Sequence, residues 1–372
     1  MRPRPPLLLV AFAVFGVQWG AWQAVLPDLA AHYGLSTGPL GAILTAGFVV
    51  SMPAMIGVGR LIDRIGTGRG MAVTAAAMAV GLVVIAVLPS TPAFVAGVIL
   101  VAAGSGAYDV AINGAAMGHG TWSRPARLTL LHAAFSAGGV AGALAGGALA
   151  ASTLPFQVTY AVVAAALLLL ALVASRQPWT ASRESGAVPR SIALAMLPLA
   201  ALAALAFLAE GSIETWSAIY LRVELGAAAF LGALGPAAFH AAMLAGRLIG
   251  AGVAHRLGAS TTLLVAGLLT VGGMGVALLV PEAGTAIPGL ATAALGASFV
   301  VPVVVSLAAR RAGPHAGRAA SYVLSLGYAG FLVGPSLVGI VGEIAGLRAA
   351  LVVVPIAAGL VALASRSRLA RE

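Results

Sequence analysis

The sequence predicts an all-α membrane protein of twelve transmembrane helices, arranged as two pseudo-symmetric six-helix bundles. Three observations carry this reading. First, 61% of the 372 residues are hydrophobic and only 8% are charged, against about 25% charged in a soluble domain, and the mean hydropathy is +1.06. No water-soluble fold hides that much apolar surface, so lipid is the solvent for most of the chain. Second, the apolar residues gather into runs of the roughly 20 residues that a helical span requires. Third, the two halves of the chain echo each other.

In chain order the runs cover residues 7–26, 40–59, 71–88, 94–117, 128–150 and 158–174, then 192–220, 230–253, 263–280, 287–309, 319–341 and 349–364. The opening "MRPRPPLLLVAFAVFG" imitates a secretory leader. Its apolar run before "AFA" is too short for one, whereas the run through Leu26 is long enough to span, so it reads as an uncleaved first span. In the fifth span "SAGGVAGALAGG" (136–147) offers small residues for close helix packing. The longest polar stretch, "SRQPWTASRESGAVPR" (175–190), divides the chain into an N-terminal bundle (1–175), a cytoplasmic linker (176–191) and a C-terminal bundle (192–372).

All basic residues are arginine, and all but three lie at the chain ends or in alternate gaps between spans; Arg222 and Arg348 occupy opposite gaps, and Arg247 lies inside a span. The positive-inside rule then places both termini in the cytoplasm of a multi-pass protein of the cytoplasmic membrane. "LIDRIG" (61–66) recurs as "VAHRLG" (253–258), and "WQAVLPDL" (22–29) returns loosely as "WSAIYLRV" (216–223). Two parallel six-helix repeats with a cavity between them are a transporter architecture.

Several functions are excluded. Without cysteine there are no disulfides or thiolate metal sites, and without lysine there is no phosphate-binding P-loop. The net charge of +10 is spread as single arginines between apolar runs, which argues against nucleic acid. "AGSG" (103–106) lacks the leading glycine of a nucleophile elbow. Nothing supports an enzyme, a metal, a cofactor or an appended sensor domain.

"GRLIDRIGTGR" (59–69) resembles the signature loop of the major facilitator superfamily, a glycine, then Asp-Arg, a second glycine and basic residues. Gly59, Asp63, Arg64, Gly66 and Arg69 match, and Gly68 stands where a base is common. The resemblance implies a monomeric alternating-access transporter in which this cluster latches the cytoplasmic gate; Arg247 and Arg256 are assigned to the same gate. "YDVAINGAA", "LLHAAFSAGG" and "EGSIETWSAIYL" resemble a bacterial branch related to the fucose permeases. That likeness implies acids in spans one and four for proton coupling and sugar recognition. Here the fourth span offers Asp109, while the first offers Gln18 and Gln23 in place of an acid.

Ionisable groups within a span are expensive and read by default as functional. Asp109 has Asn113 one turn on, and a buried carboxylate can load and release a proton. The alternative is an Asp–Arg strut. Glu210 and Glu214, one turn apart in the seventh span, are a further candidate pair for proton coupling, with a bend at Gly211 that frees Glu214 to outside water as the alternative. His132 is a relay candidate or a simple hydrogen-bonding residue. Gln18, Trp22 and Gln23, with Asn113, Trp216 and Tyr322, are candidate substrate contacts. Amides hydrogen-bond a hydroxylated solute and indoles stack on it, whereas an interfacial aromatic belt or core packing would explain the rings without substrate. Together these residues predict proton-coupled uptake of a small polar, sugar-like solute by a secondary transporter in the lipid bilayer. Proton-antiport efflux of hydrophobic compounds is the competing reading, against which the fifth span's lack of proline counts.

Overall fold

The computed structural model describes residues 5–118, 125–152, 154–179 and 189–367. The linker core 180–188, both chain ends, and Arg2, Arg4, Arg124, Arg183, Arg368 and Arg371 lie outside the described residues. The chain forms two compact units, one of Met1–Arg183 with Ala228–Ala237, the other of Glu184–Ala227 with Ala238–Glu372. Every regular element described is helical.

The first unit is built from α1 (Pro5–His32), α2 (Thr37–Ile65), α3 (Thr67–Val87), α4 (Thr91–Met117), α5 (Pro125–Ala150) and α6 (Phe156–Ala174). α1 runs past the predicted end at Leu26 because Pro27 lies inside the helix. A proline deprives only one carbonyl of its donor, and a span packed among neighbours tolerates that. α1 and α5 meet along a seam of glycines. A β-carbon on Gly16 would overlap the Phe135 carbonyl and one on Gly20 the Gly139 carbonyl; from the other side, Gly138 faces the Ala13 carbonyl and Gly142 that of Val17. The small-residue stretch of the fifth span therefore serves backbone-to-backbone approach. α3 and α4 meet similarly at Gly81 and Gly97.

In the second unit, α7 (Arg190–Ile219) packs against elements from across that unit and ends in a π-helical turn, Tyr220–Glu224. α8 (Ala229–Leu279) is interrupted at Gly258, and α9 (Ala283–Ser298), α10 (Val300–Ala312), α11 (Ala316–Gly327), α12 (Ala329–Ala345), α13 (Leu347–Ala350) and α14 (Val353–Ala364) follow. The core joins Leu199 and Ala203 of α7 to Leu263, Val304 and Val323. The tenth predicted span is divided at Phe299, and the twelfth at Leu351 and Val352. Proline explains both divisions: Pro302 and Pro355 lack the N–H that the carbonyls of Ser298 and Leu351 would otherwise accept. The eleventh is divided at Tyr328, beside Gly327 and Gly330, where α7 approaches too closely for a β-carbon.

Among the described residues ten helical stretches are long and apolar enough to cross a membrane. The two related loops share one backbone device. Gly66, between α2 and α3, has φ 87° and ψ 155°, and Gly258 has φ 76° and ψ 165°. Both lie in a region open essentially to glycine alone, so the repeat seen as "LIDRIG" and "VAHRLG" is also a repeat of conformation.

Candidate functional site

In the first unit the structure brings Asp109 and Asn113 together. The Asn113 amide donates to the Asp109 carboxylate at 3.0 Å and to its backbone carbonyl at 2.9 Å. Both are half-buried on α4. On α1, Gln18 is 1% exposed, and neither its amide nitrogen nor its oxygen has a hydrogen-bond partner among the described residues. Gln23 is also buried. Trp22 has one ring face covered by Tyr160 of α6, 5.8 Å between centroids and 10° from parallel. His132 of α5 meets Phe12 edge-on at 5.5 Å.

Sequence reasoning missed Asp28. It lies on α1, since the helix continues to His32, and it falls within Coulombic reach of Tyr160. α1 therefore does carry an acid, just beyond the predicted run that ends at Leu26. The tyrosine itself was also missed; it sits near the start of an apolar run, beside Gln157 and Thr159, with no ionisable neighbour to mark it.

In the second unit the two glutamates of α7 differ. Glu210 is 5% exposed and makes no hydrogen bond or ion pair of its own among the described residues, while Glu214 is 18% exposed and faces His240 of α8, Oε1 to Nε2 3.9 Å. Arg247, two turns further along α8, lies within Coulombic reach of Glu210 and His240. Four ionisable groups from two helices thus gather in one unit. α7 is continuous through Gly211, whose missing β-carbon makes room for the Phe331 ring. Trp216 is fully buried, its indole N–H without a partner among the described residues, and Tyr322 packs against the hydrophobic core.

Around the junction of α2 and α3, Asp63 and Arg64 in the last turn of α2, Gly66 between the helices and Arg69 in the first turn of α3 are exposed, and Arg256 is exposed just before the related glycine, Gly258. Gly59 is buried in α2. Gly68 is buried too, and a β-carbon there would overlap the carbonyls of Ala174 and Gln177. That contact explains why a base is missing from this place: the first turn of α3 sits against the end of α6.

A family profile described as Major Facilitator Superfamily matches residues 7–296. The chain belongs to the major facilitator superfamily. As a major facilitator it is a multi-pass membrane transporter of small molecules and not an enzyme. It is 31% identical over 348 residues to an uncharacterised MFS-type transporter of Yersinia pestis, covering 92% of this chain and 89% of that one. To the membrane protein MosC of Rhizobium meliloti it is 30% identical over 366 residues, covering 96% and 88%. Among solved structures, a bacterial homologue of the human lysosomal transporter Spinster superposes with a TM-score of 0.78 at 15% identity, covering 97% of this chain and 96% of that one. A variant of the E. coli fucose:proton symporter FucP superposes at 0.65 and 18%, covering 97% of each. These likenesses give the major facilitator fold.

Proposed function

We propose that this major facilitator imports a small polar, sugar-like solute together with protons, by alternating access, as a monomer in the cytoplasmic membrane. The observation that carries the reading is Glu210, a carboxylate 5% exposed within an apolar span and without a hydrogen bond among the described residues. Placing such a group in a membrane costs at least about 2.5–3.5 kcal/mol, and an ionisable residue kept there reads by default as functional; Arg247 of α8 is its positively charged neighbour. Glu210 and Asp109 carry the coupled protons, with Glu214 and His132 as further exchange points. Gln18 supports the polar substrate. A buried amide with both ends unpartnered costs about 1–3 kcal/mol, and hydroxyl groups of a bound solute would satisfy it. Gln23, Asn113, Trp22, Trp216 and Tyr322 complete the substrate contacts.

The proposed topology has twelve spans, with bundles 1–175 and 192–372 joined by a cytoplasmic linker 176–191 and both termini in the cytoplasm. Two of the ten apolar stretches support this count, because they are 51 and 63 residues long where one span takes about 20. Gly59, Asp63, Arg64, Gly66 and Arg69, with Arg247 and Arg256, form the cytoplasmic gate.

The test begins with a thermal-shift screen of purified protein against sugars, amino acids, nucleosides and drugs at two pH values. Uptake of the stabilising solute into vesicles is then measured with and without an imposed proton gradient. Asp109→Asn and Glu210→Gln should abolish gradient-driven accumulation while leaving substrate exchange intact. If both variants accumulate solute normally, the coupling assignment is wrong.

A further inference from the structure

We infer that a cleft at the start of α7, within the second unit, binds the phosphate headgroup of an anionic lipid. The cleft measures about 320 Å³ and is lined by Ser191, Ile192, Ala195 and Met196 of α7 and by Arg311 at the end of α10. That volume lies within the range of small-molecule sites, roughly 300–1,000 Å³.

Its lining is of two kinds. The polar part is the Arg311 guanidinium and the Ser191 hydroxyl. The neighbouring Arg310 donates to Ser306 Oγ at 3.0 Å and adds positive potential. A guanidinium fork matches a phosphate bidentately. The cap residue of the 30-residue α7 is Pro189, which supplies no side-chain bond to the first-turn N–H groups, so this helix start also favours an anion. The apolar part is Ile192, Ala195 and Met196. On the same stretch of α7, Leu194 and Leu197 are 57% and 43% exposed, as expected of side chains that meet acyl tails.

This arrangement selects among anions. A soluble phosphate would use the arginine and leave the apolar wall unused. A zwitterionic lipid would need a partner for its amine, but no Asp or Glu occurs in residues 189–209 or 300–342. An anionic phospholipid uses both parts of the lining.

The test is native mass spectrometry of the full chain purified with equal amounts of phosphatidylglycerol and phosphatidylcholine, scored by lipid retained per protein. Selective retention of phosphatidylglycerol is expected, weakened about fivefold or more by Arg311→Gln, since one arginine near a membrane surface contributes about 1 kcal/mol. Ile192→Trp, which fills the cleft without changing charge, should also release the lipid, and Arg311→Lys should retain part of it. Thermal unfolding of each variant shows that it is folded. Equal retention of the two lipids, or unchanged retention in both Arg311→Gln and Ile192→Trp, overturns the inference. Displacement by millimolar inorganic phosphate as effective as that by phosphatidylglycerol also overturns it and assigns the cleft to a soluble anion.

Discussion

Substituting Gly138 by alanine should force α1 and α5 apart. The new β-carbon would stand 2.8 Å from the Ala13 carbonyl carbon and 3.0 Å from its Cα, and nearer still to the oxygen. Favourable carbon contacts begin near ~3.5 Å, so the helices must separate by about 1 Å at this point. Overpacking of this kind costs about 1–3 kcal/mol. The upper part of that range is expected, because the obstacle is backbone and cannot rotate away. Gly16→Ala, which drives a β-carbon against the Phe135 carbonyl of the same helix pair, should cost a similar amount. One separation relieves both overlaps, so the double variant should be destabilised by less than the sum of the single ones. The assay is reversible unfolding in mixed micelles by titration with a denaturing detergent, followed by tryptophan fluorescence. Single variants within about 0.5 kcal/mol of the wild type would refute the packing argument. A strictly additive double variant would refute the single rigid seam.

Three further outcomes follow from the geometry. Gly66→Ala and Gly258→Ala should each lower stability by about 1–3 kcal/mol although nothing lies within 4 Å of either missing β-carbon, because the strain is in the backbone; Gly57→Ala, in equally open space within α2, should be neutral or stabilising in the same unfolding assay. Asn113→Ala should cost roughly 0.6–1.7 kcal/mol, the range for hydrogen bonds within membranes, and alter the proton dependence of uptake, whereas Asn113→Gln, too long for the same geometry, should restore neither. Glu214→Gln should slow gradient-driven accumulation only in part, and Glu210→Gln should lose it altogether; the reverse ranking would show that burial does not separate the two roles.

Much of the fold was legible because hydropathy is a property of runs, and runs survive local error. The spans, the Gly-rich fifth helix and the repeated loop came from residues acting close to their own position. Proline accounts for several of the differences. α1 absorbs Pro27 and so carries Asp28 beyond the apolar run that ends at Leu26, while Pro302 and Pro355 divide helices about a turn before themselves; the division at Tyr328 comes instead from the close approach of α7. The candidate site was legible only as single residues. Asp109 and Asn113 met because they are one turn apart on one helix. The Glu214–His240 approach joins two helices and the Trp22–Tyr160 stack two others, and no local spacing encodes such distances.

The glycines that end α2 and interrupt α8 bear on how alike the two halves are. At these two points the chain has kept a demand on its backbone while the side chains around it diverged: Asp63 and Arg64 precede the first glycine, His255 and Arg256 the second. Between these two loops the glycine recurs and the acid does not. The same backbone conformation returns at Gly346, with φ 85° and ψ 152°, and there Glu343 stands three residues ahead of the glycine, as Asp63 does ahead of Gly66. An acid three residues before such a glycine therefore marks one helix end in each unit.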